Sequence, residues 1–207
     1  MKVISLNVGL PREVQWHGRT VLTSIWKEPV TGPVRLTRLN LDGDLQSDLS
    51  VHGGNDKAVY AYPSEHYAAW RRELPDMQLP PGIFGENLTT EGLLENDVCI
   101  GDRFQIGSAA LIVTQPRMPC FKLGIRFGDG RMVKAFAKAS RPGAYLRIIE
   151  AGELGVGDDV TILSRPEHGV TLAMCSDAVL KDRSLAAQVL AAPQLSSKLR
   201  RDLAEAA

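Results

Sequence analysis

The chain has 207 residues, of which 44% are hydrophobic and 23% are charged. This size and composition suit one substantial folded domain with a small appendage, and they exclude a disordered chain. Lysine plus arginine equals aspartate plus glutamate, 24 against 24, so the formal net charge is zero. A general binder of nucleic-acid polymers or of membrane surfaces would carry a basic excess, and we expect neither kind of partner.

The cysteines and the N-terminus indicate a reducing compartment. Cys99, Cys120 and Cys175 are few, odd in number and far apart. Their spacing predicts no disulfide framework, no structural zinc site and no iron–sulfur cluster held by this chain alone. The first residues lack the apolar core of a signal peptide, and no apolar run reaches transmembrane length. The sequence therefore predicts a cytoplasmic protein.

The first 164 residues are predicted to be mainly β with inserted helices. Short apolar or β-branched runs are separated by glycine, proline and aspartate turns, a pattern typical of a β-barrel or a sandwich. The predicted strands are Lys2 to Val8, Thr20 to Trp26, Val34 to Leu39, Ala58 to Tyr62, Val98 to Ile100, Arg103 to Ile106, Ala109 to Thr114, Ala144 to Glu150 and Val160 to Leu163.

Helices are predicted at three places among these strands. One begins at Pro63 and stops before Pro75, with Trp70 on its apolar face. Another covers Gly130 to Ala139, and a turn of helix follows Cys120. The inserted helices would cover part of the β-structure.

The character of the sequence changes after residue 164. Residues 165–207 are rich in alanine, leucine and lysine and predict a small all-α domain. Three short helices cannot bury much apolar surface alone, so we expect this tail to dock on residues 1–164 or across a homodimer. The predicted helices are Thr171 to Leu180, Ser184 to Leu190 and Leu195 to Ala204, with Thr171 and Ser184 as N-caps.

The segment TQPRMPCFKL, residues 114–123, carries the clearest chemical signal. Its two prolines restrict the backbone and remove amide donors, so the turn is stiff. Arg117 and Lys122 flank Cys120, and nearby cations favour the thiolate, which is both a nucleophile and a metal ligand. By itself the turn fits a small buried hydrophobic residue equally well.

Two further segments can contact a ligand. In VHGGNDKAV, residues 51–59, Gly53 and Gly54 permit close backbone approach, and His52 and Lys57 flank them. Such a loop can direct amide donors and a lysine at a phosphate, although an ordinary Gly-Gly turn explains the same residues. In GIFGENL, residues 82–88, Asn87 offers hydrogen-bond donors and an acceptor, and a plain loop before a strand is the alternative.

In this order, the segments resemble the MOSC family, named for the C-terminal domain of molybdenum-cofactor sulfurase, and within it the small bacterial YiiM-like branch. Further matching segments are LDGD at 41–44, YPSEHY at 62–67, IGD at 100–102, YLR at 145–147 and the helical tail from residue 168. The resemblance implies a MOSC-type β-barrel, followed by the small all-α tail, that binds molybdenum cofactor (molybdopterin). Pyridoxal phosphate binding comes with it only as a family-level description.

The resemblance also implies roles for individual residues. Cys120 would be the protein ligand to molybdenum and a catalytic residue, and a soft thiolate suits that metal. His52 matches the histidine of the glycine loop and is a candidate proton donor. The cofactor-binding candidates are Gly53, Gly54, Lys57, Asn87, Arg117 and Arg147.

The function implied by the resemblance is reduction of small N-hydroxylated compounds, such as N-hydroxylated purine bases. The cofactor would carry out the two-electron chemistry, and the protein would position it. The sequence has no nucleotide-binding fingerprint and no iron–sulfur cysteine pattern. We therefore expect electrons from a separate flavin or iron–sulfur reductase.

Two other functions remain open on the sequence. Cys120, with His52 as its base, could be a nucleophile in sulfur transfer or hydrolysis if the two lie within hydrogen-bond reach. The chain could also be a non-enzymatic carrier of the cofactor, with the helical tail as a docking surface.

Overall fold

The computed structural model describes residues 1–47 and 53–205. The strands are β1 (Lys2–Val8), β2 (Arg12–Trp16), β3 (Arg19–Thr23), β4 (Glu28–Pro29), β5 (Val34–Leu36), β6 (Val59–Pro63), β7 (Leu88–Glu91), β8 (Arg103–Ile106), β9 (Ala109–Pro116), β10 (Ala144–Glu150), β11 (Gly152–Leu154) and β12 (Val160–Ser164). The helices are α1 (Glu65–Glu73), α2 (Phe121–Phe127), α3 (Met132–Ala139), α4 (Leu172–Leu180), α5 (Ala186–Leu190) and α6 (Ser197–Ala204), with short 3-10 helices at Asn55–Lys57 and Arg183–Leu185.

Eight strands form one sheet in the order β12-β8-β9-β10-β6-β7-β1-β4. The β6–β7 pair is parallel, and the other pairs in this sheet are antiparallel. The order is open, with β12 and β4 at its ends, so the predicted β-barrel is not confirmed. The sheet nevertheless curls until β1 meets the start of β12. An isolated bridge joins Lys2 to Asp159, and Val160 N donates to Met1 O at 2.8 Å.

Several predicted elements differ from the structure. Residues 98–100 form no strand, and Cys99 makes only an isolated bridge with Thr171. Pro63 ends β6 instead of opening α1, which begins at Glu65. The sequence did not predict β2, β4 and β11 as separate strands, and it indicated β7 only as a short strand without bounds after the loop that holds Asn87.

The tail packs on the β-rich segment and shares its core. Leu172 and Leu199 lie in the same buried cluster as Leu111 and Leu146 of the sheet. This confirms docking on residues 1–164, the first of the two expected packings. The helices agree closely with prediction, and Thr171 caps α4 by accepting a hydrogen bond from Met174 N at 3.1 Å.

The N-cap predicted at Ser184 is wrong. Asp182 occupies that position, and its carboxylate accepts a hydrogen bond from Ser184 N at 3.0 Å. The short aspartate side chain reaches the amide two residues later, that of the second residue of the turn, as N-cap residues commonly do.

A second, aromatic core joins α1, α3 and the loop before β7. Trp70 Nε1 donates to Tyr62 Oη at 2.7 Å, and the Trp70 and Phe136 rings stack with centroids 6.0 Å apart. Phe84 packs against both rings, and its centroid lies 4.7 Å from that of Tyr62. Within residues 1–47 and 53–205, every helix is too short or too polar to span a bilayer.

Phe136 should be essential to stability, because its ring is only 2% exposed. We expect Phe136→Ala to lower the free energy of unfolding by about 3–5 kcal/mol, the usual cost of removing a buried phenylalanine. Phe121 is the matched control, since its side chain is 49% exposed, and Phe121→Ala should cost less than about 1 kcal/mol. Urea denaturation of both variants measures the difference, and equal losses would contradict this account of the core.

Candidate functional site

A cleft beside Cys120 encloses about 570 Å³, part of it open to solvent. Its lining comes from segments far apart in the sequence, between Thr23 and Tyr145. Four of the predicted site residues meet here, namely Lys57, Asn87, Arg117 and Cys120.

Cys120 is held between a strand and a helix. β9 ends at Pro116, and Cys120 is the extended N-cap residue of α2, with φ −134° and ψ 168°. Its carbonyl accepts a hydrogen bond from Leu123 N at 2.9 Å, which starts the helix. The half-buried thiol therefore sits at a helix N-terminus, where the backbone dipoles favour negative charge.

Arg117 is a buried cation against an aromatic wall. Only 5% of the residue is exposed, and its guanidinium lies 5.1 Å from the Tyr60 ring centroid and 5.3 Å from that of Phe136. Burial alone would lower the pKa of Arg117, but Tyr60, Tyr145 and Cys120 raise it above its ordinary value. Its Nη1 is buried without a hydrogen-bond partner in the described part of the chain.

A buried ion pair forms another part of the lining. Lys27 Nζ donates to Asp44 Oδ1, and the two side chains are only 8% and 2% exposed. Asp44 also accepts hydrogen bonds from Gly9 N at 2.8 Å and from Asn87 Nδ2 at 3.1 Å. Burial lowers the pKa of Lys27, and the Asp44 carboxylate opposes that shift.

Asn87 holds three segments together at this wall. Its Nδ2 donates to Asn7 O at 3.3 Å as well as to Asp44, and its Oδ1 accepts from Tyr60 N at 3.1 Å. The predicted ligand-binding amide thus lines the cleft with both its donor and its acceptor groups engaged.

The described lining of the cleft is cationic. Lys27, Lys57, Arg117 and Lys122 face a single carboxylate, Asp44, which is already paired with Lys27. Lys122 Nζ also donates to Ser47 Oγ at 3.3 Å. Burial lowers the pKa of Lys57, and the nearby Lys198 charge adds to this. Concentrated positive charge in a concave site attracts an anionic ligand.

The other predicted site residues lie elsewhere. Gly53, Gly54 and Arg147 line a neighbouring cleft of about 1290 Å³, which includes open solvent and shares Lys57 with the first. Arg147 pairs there with Asp56, with Nε 2.9 Å from Oδ1. His52 lies outside the described residues.

The sequence did not predict Lys27, Tyr60 and Tyr145 as site residues. No local pattern separates Lys27 from a surface lysine. Asp44 had one signal, its place in the LDGD segment that matches the family. Lys122 had another, as a cation flanking the cysteine.

The fold is a curled, mostly antiparallel sheet followed by a helical tail. Its cleft places a cysteine among several cationic side chains. Together these features define the class of protein. The family model for the MOSC domain matches residues 48–161, and the chain belongs to that family. It is 44% identical over 170 residues to the uncharacterized protein YflK of Bacillus subtilis (strain 168), covering 82% of this chain and 76% of YflK.

Structural similarity places the chain in the YiiM-like branch. The crystal structure of YiiM from Geobacillus stearothermophilus matches with a TM-score of 0.82 and 30% identity, over 99% of this chain and 97% of that one. A protein named reductase from Gibberella moniliformis (strain M3125 / FGSC 7600) is 36% identical over 152 residues, which are 72% of this chain and 27% of the reductase.

The Lys27–Asp44 pair should be strongly coupled. Removing one partner leaves the other charge buried, so Lys27→Met and Asp44→Asn should each lower the free energy of unfolding by about 3–5 kcal/mol. The double variant should lose much less than the sum of the two, and urea denaturation of the four proteins measures the coupling. Lys198 and Asp202 form the matched control, since they are 53% and 51% exposed, and their coupling should stay below about 1 kcal/mol. Additive losses at Lys27 and Asp44 would contradict the buried pair.

Proposed function

We propose that this protein is a molybdenum-cofactor-dependent oxidoreductase that reduces N-hydroxylated compounds. The observation that carries the proposal is the cleft that brings the Cys120 thiol together with Lys57, Arg117 and Lys122. Membership of the MOSC family and the relationship to a protein named reductase support it.

The residues of the cleft fit such a cofactor. Arg117 Nη1 is a buried donor with no partner among the described residues, and an anionic ligand would satisfy it. No group of three His, Cys, Asp or Glu side chains able to hold a metal occurs in residues 1–47 and 53–205. Molybdopterin would supply further sulfur ligands to a metal at Cys120 through its dithiolene.

In this proposal Cys120 supplies the protein thiolate to molybdenum, a soft ligand for a metal that prefers sulfur. Lys57 and Lys122 balance the negative charge of the phosphate and the dithiolene, and Arg117 donates from the aromatic wall. When bound, the cofactor supplies the two-electron reduction that removes oxygen from an N–OH group.

The reaction consumes two electrons and two protons, breaks the N–O bond and releases the amine and water. Lys27 holds a proton at Nζ in the cleft, hydrogen-bonded to Asp44. Because burial lowers the pKa of Lys27, its ammonium is a better acid than that of an exposed lysine. The electrons would come from a separate flavin or iron–sulfur reductase.

Metal and pterin analysis tests the ligand role of Cys120. Wild-type protein purified from a host that makes molybdopterin should contain both molybdenum and the pterin. We expect Cys120→Ala to lose the metal, because it removes the thiolate, while Cys99→Ala keeps it, because Cys99 does not line the cleft. Folding of each variant is checked by circular dichroism. A folded wild-type protein with neither component would overturn the proposal.

Turnover separates an enzyme from a carrier. Protein loaded with cofactor should reduce an N-hydroxylated purine base to the amine when a reduced viologen supplies electrons. Lys57→Gln and Lys122→Gln should lower the bound cofactor per chain, since each removes one of the four cations of the cleft. Tight cofactor binding without turnover of several N-hydroxylated compounds would instead favour a carrier. Product formation with no cofactor present would favour thiol chemistry at Cys120.

A further inference from the structure

Cys120 also faces a second cleft, whose far wall is the last helix of the tail. This cleft holds about 680 Å³, including open solvent. Met118, Pro119 and Tyr145 line it on the side of the cysteine, and Lys198, Leu199 and Asp202 of α6 line the other side. The α6 residues lie outside residues 48–161, the part of the chain that matches the MOSC family model.

Hydrogen bonds fix the start of α6 against the strand that leads to Cys120. Ser196 Oγ donates to Gln115 Oε1 at 2.5 Å, and Ser196 N donates to Thr114 O at 3.2 Å. Leu199 is only 5% exposed and belongs to the main buried core. The wall is therefore held in a fixed position relative to Cys120.

The glycine loop holds the same helix from another direction. Ser197 N donates to Asp56 Oδ2 at 3.3 Å, and Asp56 also pairs with Arg147 of β10. Thr114 Oγ1 of β9 donates to Asp56 O at 2.6 Å. The glycine loop, β9 and the tail are thus joined by hydrogen bonds. Lys57, the next residue, lines all three clefts.

The second cleft has apolar faces and a charged rim. Met118, Pro119 and Leu199 offer carbon surface, and Tyr145 adds an aromatic ring. Lys198 Nζ lies 2.9 Å from Asp202 Oδ2, one helical turn away on the solvent side. Carbon surface beside exposed charges can contact a ring with a polar edge. We call this second cleft the slot.

We propose that α6 completes the Cys120 site, with the Lys198–Asp202 pair selecting by charge what reaches the cysteine through this slot. In this proposal the cationic cleft holds the cofactor and the slot admits the substrate. This assignment of the two clefts rests on the proposed function. The charge selection at Cys120 stands without it.

The test compares two alkylating reagents on the full-length protein made without molybdopterin. Iodoacetate is anionic and iodoacetamide is neutral, but both react with the same thiolate. The ratio of their rates at Cys120, followed by peptide mass spectrometry, therefore reports the charge along the access route and not the thiolate fraction. At low salt, Lys198→Gln should lower the iodoacetate-to-iodoacetamide ratio roughly two- to fivefold, and Asp202→Asn should raise it.

Salt and a second ion pair provide the controls. Both differences should vanish near 1 M salt, where screening acts within about 3 Å. Asp177 and Lys181 form another i,i+4 pair at the C-terminal end of α4, with 38% and 47% exposure, and do not line the slot. Lys181→Gln and Asp177→Asn should leave the ratio unchanged.

Equal ratios in Lys198→Gln and Lys181→Gln would overturn the proposal, as would a shift in the same direction for Lys198→Gln and Asp202→Asn. In the turnover assay, Lys198→Gln should change KM for an N-hydroxylated base and leave kcat within about twofold. Absence of turnover by the wild-type protein would contradict the proposed function. The alkylation ratio would still decide whether α6 controls access to Cys120.

Discussion

The buried carboxylate of Asp44 is the constraint on which the cleft depends. A charge removed from water must be paired and hydrogen-bonded. Asp44 pairs with Lys27 and accepts hydrogen bonds from Gly9 N and Asn87 Nδ2. Asn87 in turn binds Tyr60 N on β6. The N-terminal segment, the turn after β5 and the loop before β7 must therefore converge at one point. The cleft is the space that this convergence leaves beside Cys120.

A second carboxylate, that of Asp56 next to Lys57 in the sequence, likewise connects separate segments of the chain. Asp56 pairs with Arg147 and accepts the first amide of α6, so the glycine loop, β10 and the tail meet there. Asp44 lines the cleft at Cys120, and Asp56 lines the neighbouring cleft that shares Lys57 with it. The described lining of the cleft carries Lys27, Lys57, Arg117 and Lys122 with one carboxylate, Asp44, which is why the site suits an anion although the whole chain has zero formal charge.

The sequence predicted those elements whose signal is local. The bounds of β1, β8 and β10 agree with prediction because apolar residues alternate between clear turns. The bounds of β7 were not predicted, because its sequence, LTTE, is mostly polar. Thr89 and Thr90 are buried because β1 and β6 pair with β7 from either side. Pairing across long sequence separations cannot be read from a short window.

The same distinction applies to the site. Cys120 and Arg117 share one stiff turn, so a single motif finds both. Lys27 becomes a site residue only through its burial against Asp44. The sequence around Lys27 does not predict that burial. The limits of the MOSC match are also not the limits of the site, since the match ends at residue 161 while Lys198 and Asp202 line the second cleft at Cys120. Residues that the family match does not cover therefore form part of the surface around Cys120.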